Sequence, residues 1–449
     1  GLVEKNKEYI LDIVAEGYEG EGIAKIDGYT TFIKGGLKGE KAKIKMLKVN
    51  KDYGFAKLLE VLEKSQEREQ PVCNVFGKCG GCTLQHMAYE AQLDYKTNMV
   101  RNTIRKALGQ DVEVSDIIGM GIPYNYRNKA QYPVSQGKIG FYAGRTHSII
   151  ENETCYIQNK ISDELAKYAF KVTQKYEIET YDEKTNRGCL RHIITRIAVN
   201  TGELMLILVT NGKELKHKKE MISELTNAYP MLKSIIQNVN KNNTNVILGK
   251  ECITLYGKDY ITDILGDYKF KISPLSFYQV NPVQTEILYN IAKEFADLQG
   301  SETVFDLYSG IGTISIFIAD EAKKVYGVEV VEPAVKDAKE NAEINEIKNV
   351  EFISGEAEKV VPEMYQKGIK ADVVFVDPPR KGCDEKLLET IKEMKAEKVV
   401  YISCNPATLA RDLKYFANNG YELKKVQPVD MFPQTSNVEN VALLCRRSH

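Results

Sequence analysis

Lys398–Ala407 reads KVVYISCNPA, a run of apolar and β-branched residues that stops at Cys404, Asn405 and Pro406. A continuous apolar run of this length is typical of a buried strand in a parallel sheet. Open α/β sheets bind their ligands at the carboxyl edge, so the pattern places Cys404 at a cleft. A single cysteine is more often a small buried apolar residue than a nucleophile, so neighbouring motifs decide its role.

Two other stretches end in the same way. Val304–Thr313 reads VFDLYSGIGT and Val373–Arg380 reads VVFVDPPR, each an apolar run followed by a polar or glycine-rich turn. From Phe277 onward such runs alternate with helical periodicity, which predicts a doubly wound, mostly parallel α/β sheet. Strands are predicted at residues 304–307, 325–328, 350–353, 373–376, 398–402, 421–426 and 441–445.

The first of these turns contains two glycines. Gly310 and Gly312 lie between a predicted strand and a predicted helix, where glycine permits close approach of the backbone to a nucleotide. Glu329 ends the next strand, where dinucleotide-type folds place an acidic side chain on the ribose hydroxyls. Together these residues favour an adenosine-containing cofactor. The third glycine of the pyrophosphate fingerprint is missing, which argues against NAD.

Two further loops are expected to face this cleft. Asp377 and Arg380 flank two prolines that stiffen their loop, so both side chains should point in defined directions. Glu439 lies in FPQTSNVENVALL, directly before the last predicted strand, so it can reach the same edge. For a glutamate taken alone, an exposed surface position is the default.

The chain has 449 residues, 43% of them hydrophobic and 27% charged, which suits about three domains. Residues 1–62 alternate apolar and polar residues between many glycines, which predicts a small β-barrel. We place a central α+β domain at residues 63–262 and the doubly wound domain at residues 263–449. No apolar run approaches the roughly 20 residues that span a bilayer, and no signal-peptide pattern is present, so a cytoplasmic protein without membrane contact is expected.

Charge is balanced overall but not locally. The chain has 61 basic and 62 acidic residues, which does not by itself indicate a nucleic-acid partner. Lys34–Lys57, however, contains eight lysines against Glu40 and Asp52. This segment is either a basic binding surface or an edge strand protected by lysine.

Nine cysteines in a chain of this kind favour metal binding or catalysis over a disulfide framework. Cys73, Cys79 and Cys82 lie in CNVFGKCGGC, whose glycines allow a tight loop, and Cys155 lies far downstream. Four thiolates suit an iron–sulfur cluster, and they also suit zinc. No second closely spaced C-x2-C pair is present. Apart from Cys404, the other cysteines are expected to be structural or incidental, namely Cys189, Cys252, Cys383 and Cys445.

Taken together, these motifs resemble the bacterial RNA 5-methyluridine methyltransferases, and most closely the branch that acts on 23S ribosomal RNA. The resemblance covers essentially the full length and includes an N-terminal barrel similar to an OB-like TRAM domain. The segments that carry it are the barrel, the cysteine loop with its distant cysteine, FYQVNP, DLYSGIGT, VDPPRKG, SCNPATLARDL and FPQTSNVE. Seven such segments in the same order make the resemblance specific.

The resemblance implies a 23S rRNA (uracil-C5)-methyltransferase that uses S-adenosyl-L-methionine and forms 5-methyluridine. It implies Cys404 as the nucleophile that adds to uracil C6, and Glu439 as the base that removes the C5 proton. Cofactor contacts are implied for Gln279, Tyr308, Glu329 and Asp377. A 4Fe-4S cluster is implied on Cys73, Cys79, Cys82 and Cys155.

The partner expected from the resemblance is 23S rRNA, as free or partly assembled RNA, bound by a monomer. The target base has to be unstacked or flipped into the cleft. RNA contacts are expected from the barrel and from Arg127, Lys129 and Arg380. One departure is Gln434, where several relatives have histidine, and we expect it to affect local positioning only.

Two alternatives remain open. The first is the tRNA branch of the same chemistry, which we disfavour because those relatives are expected to lack the barrel and the cluster cysteines. The second is an iron–sulfur redox or radical enzyme that uses S-adenosyl-L-methionine. Such an enzyme calls for a C-x3-C-x2-C loop, whereas this chain has C-x5-C-x2-C.

Overall fold

A closed barrel, a six-stranded sheet and a seven-stranded sheet follow one another along the chain in the computed structural model, which describes residues 3–448. Each sheet is built from the part of the chain in which the sequence predicts it. The architecture confirms the mixed α/β class with a small N-terminal β-barrel. Among residues 3–448, no helix is both long and apolar enough to cross a membrane.

The barrel has the strand order β1-β2-β3-β5-β4. Its interior is filled by alternate residues, as in the fourth strand, where Ala42, Ile44 and Met46 are fully buried and the intervening lysines point outward. On its outer surface, Phe32 is stacked on Phe55, and Tyr53 meets both rings edge-on. The strands are β1 Glu8–Glu16, β2 Gly22–Ile26, β3 Tyr29–Lys34, β4 Lys41–Val49 and β5 Tyr53–Glu63.

The first long helix, α1 (Tyr89–Leu108), follows the cysteine loop. The start of the helix contacts the barrel through an apolar cluster that includes Leu37, and the rest of its apolar face packs elsewhere. Val100 and Ile104 are fully buried in the same cluster as Leu409 and Leu413, far along the chain. The helix therefore joins the N-terminal half to the C-terminal sheet.

The six-stranded sheet has the order β13-β12-β11-β10-β6-β7 and is antiparallel except where β11 pairs with β12. The helices of this region share an apolar cluster with one face of the sheet. The elements are β6 Lys129–Ser135, β7 Lys138–Ile139, β8 Phe141–Tyr142, β9 Ile149–Ile150, α2 Lys160–Lys175, β10 Leu190–Ala198, β11 Glu203–Thr210, α3 Lys218–Ala228, β12 Leu232–Val239 and β13 Glu251–Gly257.

A short hairpin that the sequence did not predict follows, formed by β14 (Ile261–Leu265) and β15 (Tyr268–Ile272). Its apolar residues lie between the two large sheets. Ile261 and Phe270 belong to one cluster together with Ile207 of β11. The hairpin therefore fills the space between two layers rather than extending either sheet.

The seven-stranded sheet has the order β18-β17-β16-β19-β20-β22-β21. Its elements are α4 Pro282–Ala296, β16 Thr303–Leu307, α5 Thr313–Ile318, a 3-10 turn Ala319–Glu321, β17 Lys324–Glu329, α6 Glu332–Ile344, β18 Val350–Ser354, α7 Ala357–Gln366, β19 Val373–Val376, α8 Glu385–Met394, β20 Lys398–Ser403, α9 Pro406–Ala417, β21 Tyr421–Val429 and β22 Glu439–Arg446. All seven predicted strands are confirmed. The first five neighbours in the order are parallel, and β22 runs antiparallel between β20 and β21.

One apolar core serves two sheets. Ile194 and Met205 of the six-stranded sheet are buried in the same cluster as Val304 and Ile402 of the seven-stranded sheet. The helix α4 contributes Leu288 to this cluster. The second face of the seven-stranded sheet packs on α1, α8 and α9, so both faces of that sheet are covered, as parallel strands require.

Candidate active site

Cys404 and Glu439 lie at the ends of two neighbouring strands. In the antiparallel ladder between β20 and β22, Ser403 is paired with Asn440. The next opposed positions beyond that pair are Cys404 and Glu439, because an antiparallel register moves by one residue on each strand. Cys404 is partly exposed, whereas Glu439 is only 4% exposed. The fold thus brings these two sequence-predicted residues to one edge of the sheet.

The segment after Cys404 starts a helix. The Asn405 side chain accepts a hydrogen bond from the Ala407 amide at 3.0 Å, and Pro406 is the first residue of α9. Both residue types are typical of helix N-termini. Cys404 therefore lies just ahead of the positive end of a helix dipole, a position that favours a thiolate over a thiol.

The loop that contains Arg380 is tied to the loop that contains Cys404. The Arg380 carbonyl accepts hydrogen bonds from Asn405 Nδ2 at 3.0 Å and from Thr408 Oγ1 at 2.8 Å. The Lys381 carbonyl accepts from the Arg411 guanidinium at 2.8 Å. These bonds fix the backbone of Arg380, and its exposed side chain is the cation of the site.

Burial dominates the acid–base properties of the site. It raises the pKa of Cys404 to about 11, helped by the negative charge of Glu439 and opposed by the positive charge of Arg380. Burial also raises the pKa of Glu439 to about 7, and Arg380 opposes this shift as well. A carboxylate with a pKa near 7 is suited to general-base catalysis at neutral pH. The positive charge of Arg380 therefore favours the deprotonated forms of Cys404 and Glu439.

Asp377 begins the loop that leads to Arg380. Burial raises the pKa of Asp377 well above its ordinary value, and the carboxylates of Glu439 and Asp306 add to this effect. These three acidic groups thus share one region with the cation of Arg380. Bringing a cationic ligand or a further hydrogen-bond donor to this edge would relieve their mutual repulsion.

The glycine turn after β16 forms a cradle held by Glu329. Glu329 Oε1 accepts from the Gly310 amide and Oε2 accepts from the Val331 amide, both at 2.9 Å. Gly310 and Gly312 have φ values of 56° and 85°, in the left-handed region that favours glycine. A Cβ at Gly312 would lie 2.7 Å from the Phe352 ring, so this turn has no room for a larger residue.

Three residues expected to contact the cofactor lie at the carboxyl edge of this sheet. Tyr308 follows β16 with φ 62°, Glu329 ends β17 and Asp377 follows β19. Gln279 lies on a different segment, between β15 and α4, and is 8% exposed. Its carbonyl accepts from Asn128 Nδ2 at 2.9 Å, so the central region holds it in place.

Sequence reasoning missed Asp306, which lies inside β16. Its Oδ2 accepts a hydrogen bond from Ser315 Oγ at 2.6 Å, and burial raises its pKa to about 7. Its Oδ1 is buried without a hydrogen-bond partner among the described residues. The available signal was an acidic residue within an otherwise apolar strand, VFDL.

The four cysteines expected to bind a cluster line one cavity of about 410 Å3. Asn152 Nδ2 lies 3.4 Å from Cys73 Sγ, and the Gly81 amide lies 3.3 Å from Cys79 Sγ. Such donors stabilise sulfur atoms that are charged. The cysteines that meet at this cavity are Cys73, Cys79, Cys82 and Cys155.

Burial raises the pKa of three of these thiols, those of Cys79, Cys82 and Cys155. Burial raises the pKa of Cys82 to about 12 and that of Cys155 to about 11, and neighbouring cysteine charges add to both shifts. Within residues 3–448, no group of three or more His, Cys, Asp or Glu side chains is arranged to hold a single metal ion. A set of four thiols fits a soft ligand, such as zinc or an iron–sulfur cluster.

The three cations expected to contact RNA fall into two places. Arg127 and Lys129 line the cysteine cavity, whereas Arg380 lies beside Cys404 and Glu439. Burial lowers the pKa of Lys129 to about 7, and the charges of Arg196 and Arg127 add to this shift. A phosphate at this cavity would stabilise the charged form of Lys129.

Comparison with known proteins gives two family matches. A family model described as tRNA (Uracil-5-)-methyltransferase matches residues 88–447, and a TRAM domain model matches residues 3–59. A protein of Clostridium tetani described as an uncharacterized RNA methyltransferase is 51% identical over 446 residues, which are 98% of this chain and 97% of that protein. One of Listeria innocua with the same description is 51% identical over 447 residues, 99% of this chain and 98% of that protein.

One solved structure is similar over nearly the whole chain. It is the crystal structure of a Pyrococcus abyssi tRNA (uracil-54, C5)-methyltransferase in complex with S-adenosyl-L-homocysteine, with a TM-score of 0.78 and 28% identity. The match covers 97% of this chain and 99% of that chain. The uncovered part of this chain is much shorter than the barrel, so the barrel lies largely within the match. The expectation that tRNA enzymes of this kind lack the barrel is therefore wrong for this structure.

Proposed function

This chain belongs to the RNA uracil-5-methyltransferase family and uses S-adenosyl-L-methionine, and from that premise we propose that it methylates uridine C5 in 23S rRNA through a covalent cysteine adduct. The observation that carries the chemical part is that Cys404 directly follows β20 and Glu439 begins the neighbouring strand β22, each one residue beyond the Ser403–Asn440 pair. A nucleophile and a base placed together at this edge can act on adjacent atoms of one ring.

The roles of the two residues follow from the chemistry of uracil, whose C5 is a poor nucleophile. The Cys404 thiolate adds to C6, and the electron pair of the C5–C6 double bond makes C5 nucleophilic. S-adenosyl-L-methionine, when bound, supplies the methyl group that C5 accepts. Glu439 then removes the C5 proton, the double bond re-forms, and the C6–S bond breaks to release Cys404.

Arg380 supports both steps in this proposal. Its charge lowers the pKa of the Cys404 thiol and the pKa of the Glu439 carboxyl, and both residues act in their deprotonated forms. Tyr308, Glu329 and Asp377 are proposed as cofactor contacts because they end or follow consecutive strands of the parallel sheet, where such folds bind nucleotides. Gln279 is proposed as a fourth contact on the resemblance described above.

The 23S rRNA substrate rests on the resemblance to the ribosomal branch. A tRNA substrate is the second candidate, and the solved tRNA (uracil-54, C5)-methyltransferase that spans 97% of this chain favours it. The test is to map 5-methyluridine in 23S rRNA and in tRNA from a deletion strain. Loss in 23S rRNA alone supports the proposal, whereas loss in tRNA alone replaces it with the second candidate.

We propose that the four cysteines hold a 4Fe-4S cluster. The support is that four free thiols line one cavity, and each cysteine of such a cluster binds a different iron. The reaction proposed above needs no electron transfer. The cluster would therefore link the 73–82 loop to Cys155, fixing a region with few buried apolar residues of its own.

We propose RNA contacts at two surfaces. The aromatic cluster of Phe32, Tyr53 and Phe55 lies at the barrel surface beside the lysine-rich strand β4, which suits stacking with unpaired bases. Arg127 and Lys129 offer charge at the cysteine cavity, and Arg380 offers it at the reactive edge. The bound form is proposed to be a monomer on free or partly assembled RNA, with domains at residues 1–62, 63–262 and 263–449.

A further inference from the structure

The loop between β21 and β22 is held by its backbone carbonyls. Val429 pairs with Glu439, so residues 430–438 form the connection that closes directly at Glu439. Five consecutive carbonyls, those of residues 430–434, each accept a hydrogen bond from a group outside the loop. The donors are Gln284 Nε2 at 3.1 Å, Asn281 Nδ2 at 3.1 Å, Lys96 Nζ at 3.2 Å, Tyr126 Oη at 2.9 Å, and the amides of Thr83 and Leu84 at 3.0 Å each.

Gln434 is the last of these five residues and is 1% exposed. Its φ is 73°, a left-handed conformation that a glutamine adopts only when its surroundings hold it there. Gln92 of α1 supplies that hold through two bonds. Gln92 Nε2 donates to Gln434 Oε1 at 2.9 Å, and the Gln434 amide donates to Gln92 Oε1 at 3.1 Å.

Gln92 also reaches the segment that follows the cysteine loop. Its Nε2 donates to the Leu84 carbonyl at 3.0 Å and to the Met87 carbonyl at 2.9 Å. Thr83, whose amide binds the Gln434 carbonyl, is the residue directly after Cys82. A continuous path of hydrogen bonds and backbone therefore runs from the cysteine loop through Gln434 to the strand that starts at Glu439.

We propose that Gln92 and Gln434 are positioning residues that hold the Glu439 carboxylate opposite Cys404 and couple its placement to the cysteine loop. The inference rests on the proposed function, because it takes Glu439 as the base. Neither glutamine touches the reacting atoms in this proposal. Their loss slows removal of the C5 proton and leaves methyl transfer, which precedes it, largely intact.

The test uses Gln92→Met and Gln434→Met in the full-length protein, with RNA transcript and S-adenosyl-L-methionine labelled on its methyl group. The expected result is at least a tenfold fall in kcat, KM for RNA within twofold, and a labelled protein–RNA adduct on denaturing gels. Gln237→Met is the matched control, because Gln237 is a buried glutamine that binds Thr210 and the Gly212 and Lys213 carbonyls in the central sheet. It should lower stability without any adduct.

Two further variants complete the design. Gln434→His, which retains a hydrogen-bonding ring, should restore at least half of the turnover lost in Gln434→Met. Gln434→Asn keeps the amide on a side chain that is one carbon shorter. If the methionine variants do not fold, this variant should show the same fall in kcat and the same labelled adduct. A fall in kcat without adduct, or an equal effect in Gln237→Met, overturns the positioning role.

Glu439→Gln, run in parallel, separates this inference from the proposed function. If Glu439→Gln accumulates methylated adduct and the glutamine variants do not, only the positioning role is overturned. If Glu439→Gln turns over normally, Glu439 is not the base and both proposals are overturned together. Methylated adduct in Gln92→Met, Gln434→Met and Glu439→Gln, with none in Gln237→Met, supports both the positioning role and the proposed function.

Discussion

Lys96 Nζ lies 2.6 Å from Asp430 Oδ1, and neither side chain is exposed to solvent. Burial lowers the pKa of Lys96, and Asp430 opposes that shift. Tyr89 Oη donates to the other carboxylate oxygen at 2.7 Å. The pair joins α1 to the residue that follows β21, across more than 300 positions of sequence.

Lys96→Met should destabilise the protein strongly, because it leaves the Asp430 carboxylate buried without its cation. Breaking a buried pair in this way costs about 3–5 kcal/mol in the free energy of unfolding. Urea denaturation measures the loss. Lys96→Met combined with Asp430→Asn should recover most of it, since no unpaired charge is left buried and the amide oxygen can still accept from Tyr89 Oη. Lys424→Met, which breaks the exposed Lys424–Glu422 pair, is the control and should change little.

Cys404→Ala should abolish methyl transfer and leave the fold intact. The side chain is small and partly exposed, so its removal leaves almost no cavity. Methyl incorporation and the circular dichroism melting curve are the two measurements. Cys445→Ala, at a partly exposed cysteine on the antiparallel partner strand, is the matched control and should retain activity. Substantial methylation by Cys404→Ala would show that the nucleophile is a different residue.

Release of product should depend on pH through Glu439. Burial raises the pKa of this carboxyl from 4.5 to about 7, so the base is mostly protonated below neutral pH. The decay rate of the methylated adduct should therefore fall about tenfold for each pH unit below about 6. Rapid-quench measurements from pH 5 to pH 8.5 give this profile. A rate independent of pH over that range would contradict the assignment.

The same raised pKa predicts how stability depends on pH. The folded protein holds the Glu439 proton more tightly than the unfolded chain does. The protonated carboxyl therefore adds to the free energy of unfolding below pH 4.5, and this stabilisation is lost as pH rises through 7. Glu439→Gln should not show this loss of stability, because its amide does not ionise. The variant should match the parent protein near pH 4 and exceed it by on the order of 3 kcal/mol at pH 8. Denaturant unfolding at the two pH values measures the difference, and a constant difference would contradict it.

Anaerobically purified protein should contain about four iron and four sulfide per chain. Cys82→Ser should lower that content and weaken RNA binding, because the loop it belongs to loses its link to Cys155. Binding of S-adenosyl-L-homocysteine at the parallel sheet should stay within twofold. Cys252→Ser, at an exposed cysteine on β13, is the control. Zinc in place of iron would refute the cluster, and turnover that followed its redox state would refute the structural role.

Much of the C-terminal sheet could be predicted because its information is local. Each buried parallel strand is a short apolar run, and the turns that carry Gly310, Asp377 and Cys404 follow directly from those runs. The same locality is the reason that Cys404 could be proposed as a candidate from the sequence. Glu439, which begins the neighbouring strand β22, was proposed only through the family resemblance, since a glutamate before a strand has no distinctive pattern.

The support around these residues could not be predicted. Gln92 and Gln434 are separated by 342 positions, and their hydrogen bond leaves no mark on the sequence near either residue. The antiparallel insertion of β22 between β20 and β21 is equally invisible, because a buried antiparallel strand and a buried parallel strand have the same apolar pattern. The hairpin of residues 261–272 was missed because it fills a space that only the two sheets define.

The position of β22 also sets an order of assembly during synthesis. The ribosome makes β20 and β21 before β22, yet these two strands are separated in the finished sheet by the strand that comes after them. Until β22 emerges, both present open edges, and open edges favour pairing with other chains. A nascent protein stalled before residue 439 would carry Cys404 and the glycine cradle without the strand that supplies Glu439. A chain truncated before residue 439 should therefore pair with other chains through these open edges.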